Sequence, residues 1–110
     1  MTTQGIEAVY LTTHNWGKAA GFFQSLGFTL DFETDHNSGQ LRAGNGPYVF
    51  IAEVPANQET QTQVVLKMDS AQAPPDVEVV TSLEDTHYGT KEMTVRDPDG
   101  RTWTLQVAEK

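Results

Sequence analysis

At 110 residues the chain has room for one domain's core, enough to bury roughly two-thirds of the surface that its unfolded form exposes. Seven Lys and Arg among fifteen Asp and Glu, a net charge of -8, leave no basic patch for nucleic acid or an anionic membrane, so the expected partner is small. The absence of cysteine excludes disulfides, thiolate nucleophiles and Cys-ligated zinc. No apolar run approaches the roughly 20 residues of a membrane span, and Met1-Thr2-Thr3-Gln4-Gly5 lacks the basic start and apolar stretch of a secretory signal, so a cytoplasmic setting is expected.

Residues Ile6 to Thr13 alternate, with Val9 and Leu11 on one side and Ala8, Tyr10 and Thr12 on the other, which predicts a strand with one buried and one semi-polar face. Asn15 then caps a helix. At 100 degrees per residue Trp16, Ala19, Ala20, Phe22, Phe23 and Leu26 fall within an arc of roughly 160 degrees, a stripe suited to lying across a sheet, and Gly27 ends it. Gly17 and Gly21 either let a neighbouring backbone come close or are simply tolerated small residues. Three strands are expected next, Phe28 to Thr34, Gly39 to Ala43 and Pro47 to Val54, parted by turn-forming Asp35-His36-Asn37-Ser38 and Gly44-Asn45-Gly46.

After a polar linker the pattern begins again at Gln63 to Asp69, where Val64, Leu66 and Met68 alternate with Gln63, Val65 and Lys67. The repeat lacks its helix. Ser70-Ala71-Gln72-Ala73-Pro74-Pro75-Asp76 is too short and too proline-rich to form one before the strand expected at Val77 to Thr81. The closing pair of strands, Lys91 to Arg96 and Arg101 to Gln106, is joined by Asp97-Pro98-Asp99-Gly100, a hairpin turn. Met93, Val95, Trp103, Leu105 and Val107 share one parity, while Thr94, Thr102, Thr104 and Gln106 share the other. A face of hydroxyls and amides, without rows of Lys or Glu, suits a cavity wall. The opposite face, with no helix over it, predicts a homodimer that covers the exposed apolar surface.

Tyr88-Gly89-Thr90, Val95-Arg96-Asp97-Pro98-Asp99-Gly100 and the strand to Gln106 resemble the closing hairpin of the glyoxalase / bleomycin-resistance / extradiol-dioxygenase superfamily, the vicinal oxygen chelate fold. Asn15 to Phe28 is similar to that family's first helix, which ends in an aromatic pair followed by Leu-Gly-Phe. The resemblance implies a single α+β domain over residues 1–110, built of two βαβββ-type modules near 5–55 and 62–108. Their strands would form a curled mixed sheet around a cavity, with the second module's helix shortened or missing.

Enzymes of the superfamily hold a divalent metal through His, Gln and Glu on the first and last strand of each module. Here those positions are Ala8, Phe50 or Ile51, Gln63 and Thr104, of which Gln63 alone matches well; shifted registers bring in Glu7 and Glu53. The expectation is therefore a small-molecule binder nearer the bleomycin-resistance branch, with no cofactor and no metal. The cavity wall would carry Tyr10, Thr12, Gln63 and Lys67 from one set of strands and Thr102, Thr104 and Gln106 from another, with Trp16, His87 and Tyr88 near it. Lys67 would pair with an acidic ligand or stay exposed. His14 and His36 read as a residue beside a helix cap and a turn residue, and Asp97 and Asp99 as acceptors of turn amides. Two other accounts stand beside this one: a metal-dependent lyase or dioxygenase using Glu7, Glu53 and Gln63, and a non-catalytic dimeric scaffold whose cavity is filled by its own side chains.

Overall fold

A computed structural model describes residues 2–70, 72–73, 75–86 and 89–108. The expected strand and helix order is present: β1 (Thr3–Thr13), α1 (Trp16–Ser25), β2 (Thr29–Glu33), β3 (Ser38–Arg42), β4 (Tyr48–Glu53), β5 (Thr62–Met68), β6 (Glu78–Asp85), β7 (Thr90–Arg96) and β8 (Thr102–Ala108). No described residue between β5 and β6 is helical, so the second module does lack its helix. The class is α+β with a mixed sheet. The chain divides into two compact units, residues 8–62 and residues 1–7 with 63–110, so the opening of β1 belongs with the later half of the sequence.

In the first unit the strand order is β2-β3-β4-β1, with β1 and β4 parallel and the other pairs antiparallel. In the second it is β6-β7-β8-β5, again with one parallel pair, β5 with β8. The order is the same. Matching hydrogen bonds extend the repeat to single side chains: Thr34 and Ser38 join their hydroxyls at the β2–β3 turn, as Thr86 and Thr90 do at the β6–β7 turn. Arg42 reaches the Gly46 carbonyl across the β3–β4 turn at 2.9 Å, and Arg96 reaches that of Gly100 at 3.4 Å.

α1 begins and ends where the residue types dictate. Asn15, in extended conformation, accepts a hydrogen bond from the Lys18 amide at 3.0 Å. At the other end Gly27 takes φ of 102°, and the amides of Gly27 and Phe28 bond the carbonyls of Gln24 and Phe23, a Schellman closure with the Phe23 and Phe28 rings 5.3 Å apart across it. The inner side of the helix packs Trp16 and Ala20 onto Leu41, Val49 and Ile51. The expected stripe is too wide, because Phe22 and Leu26 are 60% and 63% exposed. Close approach occurs, but not at Gly17 or Gly21, which have open space or ordinary contact around them. It occurs at Gly39 in β3, where an added Cβ would lie 2.6 Å from the Trp16 ring and 2.7 Å from the Phe32 carbonyl.

In the second unit Met68, Met93, Val95 and Leu105 form the core, and Ala73, Val77 and Leu83 pack against it. This corrects the expectation of a bare apolar face: the helix is gone, but the β5–β6 connection and an inward residue of β6 cover much of what it would have covered. What stays open is a groove of about 530 Å³ floored by Leu66, Val77, Val95 and Trp103.

The β7–β8 turn is locked by one carboxylate. Asp97 Oδ1 accepts from the amides of Asp99 and Arg101, both at 2.9 Å, while Oδ2 accepts from the Trp103 indole at 3.0 Å and the Arg101 guanidinium at 3.1 Å. Gly100, at φ of 87°, supplies the left-handed residue. Asp99 takes no turn amide in this arrangement and lies 3.7 Å from Arg101. The register pairs Met93 with Leu105, Val95 with Trp103 and Thr94 with Thr104, which puts the two parities on the faces expected.

Two outcomes follow from these contacts. Gly39→Ala forces the indole or β2 to move and should cost about 1–3 kcal/mol in urea unfolding, the range of overpacked cores. The Trp103 indole, then the Arg101 and Asp99 amides and the Arg101 guanidinium, hold the Asp97 carboxyl below its ordinary range, outweighing the effect of its partial burial. A depressed folded pKa stabilises above the unfolded value of about 3.9 and loses that stabilisation as pH falls through the folded one. Asp97→Asn should therefore unfold more easily than the parent at neutral pH, with the difference shrinking as the solution is acidified.

Candidate functional site

The polar face of the second unit is organised in cross-strand rows. Thr81, Thr94, Thr104 and Val65 stand in one row across β6, β7, β8 and β5, and Glu84, Glu92, Gln106 and Lys67 in the next. β6 follows β7 with two register shifts, between Val79 and Thr81 and between Thr81 and Glu84. Such bulges bend and twist a strand. On this bent part lies a cavity of about 310 Å³, lined by Thr81, Thr86, Thr94, Thr104, Glu84, Asp85 and Glu92. Lys91 approaches Asp85 to 3.8 Å.

Of the residues expected on this wall, Thr104 lines the cavity. Gln106 reaches it indirectly: it is buried, and its amide donates to Glu92 at 3.0 Å, fixing that carboxylate. Thr102 and Gln63 lie off the cavity and bond one another, Thr102 Oγ1 to Gln63 Oε1 at 3.0 Å, while Gln63 Nε2 is buried without a partner among the described residues. Turning the amide over leaves the oxygen orphaned instead. Lys67 is exposed, in the same row as Gln106. His87 and Tyr88 lie outside the described residues. Glu84, Glu92, Thr81 and Thr94 were missed as site residues, although the hairpin parity that marks Thr104 and Gln106 also marks Glu92 and Thr94.

In the first unit Tyr10 sits on the face away from α1, 38% exposed, its ring stacked on Phe50 at 5.9 Å with an interplanar angle of 7°. Phe32, 47% exposed, stands 6.3 Å beyond Phe50. Thr12, half-buried, accepts from the Gln61 amide at 2.7 Å and so anchors the linker before β5. Trp16 is not a site residue. It is buried beneath α1, where its indole donates to Glu33, because the apolar side of the helix takes it into the core. His14 bonds the Gln58 carbonyl at 2.7 Å, and His36 is an exposed turn residue beside Asp35.

Among the described residues no three His, Asp or Glu side chains gather to hold a metal ion. The donor set explains why. Ala8, 2% exposed, and Phe50 offer no donor atom, Gln63 is bonded to Thr102, and Thr104 is a hydroxyl. Glu53 stands opposite Thr13, on the parity of Ile51 and Val49 that α1 covers, and Glu7 shares the parity of Val9 and Leu11. The residues at the family's four ligand positions do not fit a metal centre.

No family model matches the chain, and no curated protein matches it. Solved structures do. A glyoxalase/bleomycin resistance protein/dioxygenase superfamily member from Vibrio splendidus 12B01 superposes with a TM-score of 0.71 at 18% identity, over 96% of this chain and 99% of that one. The fold is the vicinal oxygen chelate fold. BphC, a halotolerant catechol dioxygenase, aligns at TM-score 0.71 and 10% identity, and a Mn(II)-bound glyoxalase from Novosphingobium aromaticivorans at 0.68 and 15%. The chain covers 41% and 42% of these two proteins, and is itself covered to 99% and 98%. No helix among the described residues is long and apolar enough to cross a membrane.

Within this vicinal oxygen chelate fold the orphaned amide of Gln63 sets a measurable expectation. An unpaired buried polar atom costs about 1–3 kcal/mol, against about 0.5–1.5 kcal/mol gained from one hydrogen bond. Gln63→Met should leave the ligand-free unfolding free energy within about 1 kcal/mol of the parent or raise it, as read by urea titration.

Proposed function

We propose that the chain binds a small molecule, neutral or positively charged, in the cavity on β6, β7 and β8, and does so without a metal. The observation that carries this is the placing of Glu84 directly opposite Glu92 on a concave wall whose other residues are four threonines and Asp85. Like charges in facing positions weaken a sheet, and a cation or a hydroxyl-rich ligand beside them adds to what the Gln106 amide already gives Glu92. Lys67 does not line the cavity, so the pairing of Lys67 with an acidic ligand has less support than a ligand that the carboxylates attract.

The competing accounts fare differently. A metal-dependent lyase or dioxygenase needs donors that Ala8 and Phe50 do not have. The scaffold account has some support, because Val65 and Gln106, in the middle of the polar face, are 6% and 7% exposed. That part of the face is filled, while the β6 side stays open. A homodimer remains part of our proposal, now on the ground of the groove and of the exposed Phe22 and Leu26 instead of a wholly bare sheet. The Tyr10, Phe50 and Phe32 rings favour a second reading, in which a flat ligand stacks on the first unit.

A thermal-shift screen with small ammonium, guanidinium and polyhydroxylated compounds beside matched carboxylates tests the main reading. Cationic or hydroxylated compounds should stabilise the protein, and Glu92→Gln or Thr104→Val should weaken binding about tenfold each, the loss of one hydrogen bond to a charged or buried group. Stabilisation by carboxylates alone, or binding indifferent to both substitutions, would refute it.

A further inference from the structure

We infer that two copies of this chain associate by seating the outer flank of α1 from one copy in the groove on the second unit of the other. This rests on the homodimer proposed above and assigns its contact surfaces. Lys18, Phe22 and Leu26 are four residues apart on the helix, which puts them on one flank, turned away from the Trp16 and Ala20 side that packs on the sheet. All three are exposed, and Phe22 and Leu26 are the two most exposed of the large apolar side chains among the described residues. Phe22 is also held in place, with its ring edge-on to Phe23 at 5.2 Å. A rigid aromatic side chain beside a leucine has the character of an anchor that fills a pocket on a partner.

The groove has the matching character. Its floor of Leu66, Val77, Val95 and Trp103 belongs to the apolar side of the second sheet. In the repeat that side corresponds to the one that α1 covers in the first unit, where β1, β3 and β4 supply Leu11, Leu41, Val49 and Ile51. A surface shaped by the fold to receive a helix has here lost its own. About 530 Å³ accommodates side chains the size of Phe and Leu. The charges agree as well: Asp76 and Glu78 line the groove, Glu78 is answered by Arg96 at 2.9 Å, and Asp76 is exposed. Lys18 makes no ion pair among the described residues, so it is available to Asp76 of a second copy as Phe22 enters the groove. Exchange of the same contact in both directions would make the pair symmetric.

The mass of the chain in solution at micromolar concentration, by light scattering after gel filtration, tests this together with three variants. The parent should be a dimer. Phe22→Asp, at an exposed position that leaves the core untouched, should raise the dimer dissociation constant about thirtyfold or more, the effect of losing an anchor residue. Lys18→Glu and Asp76→Lys should each weaken the dimer, and the two together should restore it. A parent that is monomeric overturns both the homodimer and this assignment. A dimer that tolerates Phe22→Asp, or a charge exchange that restores nothing, overturns the assignment and leaves the homodimer to some other surface.

Discussion

A hairpin can adopt only whole-residue registers, and in β7–β8 the register is set by the Asp97 carboxylate, which gathers two turn amides, a guanidinium and an indole. Because side chains alternate, a slip of one residue would carry every side chain of a strand to the opposite face. Met93, Val95 and Leu105 would leave the core, and Thr94, Thr104 and Glu92 would leave the cavity wall. The core and the candidate site are thus two consequences of one register. The indole bond matters doubly, since it ties the turn to Trp103, a residue that packs on the core of the same unit.

The two units show how a repeat can keep its topology while its energetics diverge. Both keep the strand order, the paired hydroxyls at one turn and the arginine-to-carbonyl bond at the next. In the first unit a helix covers the sheet, and Gly39 leaves room for the Trp16 ring to come close against β3. In the second, Ala73, Val77 and Leu83 take over part of that task with much less apolar bulk. A short connection loses less conformational entropy than a helix of ten residues would, but it also buries less surface. The open groove, with Val77 in its floor, is what those three side chains leave uncovered.

Much of this was legible in the sequence, and the exceptions have identifiable causes. Alternation located β1, β5, β7 and β8, and turn-forming residues bounded β2, β3 and β4; Asn15 and Gly27 located the helix, because caps are local chemistry. The helical stripe was drawn too wide because apolar type alone cannot say where its edge lies: the buried arc runs through Trp16, Ala20 and Phe23 and excludes Phe22 and Leu26. The cavity on β6, β7 and β8 was not legible because it lies on the β6 bulges, which no residue type in Glu78 to Asp85 announces. The coverage of the second core depends on the path of a proline-rich connection, and periodicity is silent about paths. The register of Glu92 and Thr94, by contrast, follows from the hairpin, which pairs them with Gln106 and Thr104.

Function on this fold is decided by which atoms stand at a few wall positions, since the architecture serves unrelated chemistries. Where the family's metal enzymes need donors, this chain has the methyl group of Ala8 and the ring of Phe50, and neither can be turned into a ligand by a change of rotamer. The chain instead has carboxylates facing one another across β6 and β7, one of them oriented by the buried amide of Gln106. A facing pair of like charges costs a few tenths to about 1 kcal/mol in a sheet, and a buried amide committed to one of them is a further constraint on the sequence. The bond from Gln106 also serves the fold, since it satisfies a buried donor. On the reading proposed above, a ligand bearing positive charge would gain from two carboxylates at once, and in a concave site, with part of the water displaced, that gain exceeds what the same pair would give on an open surface.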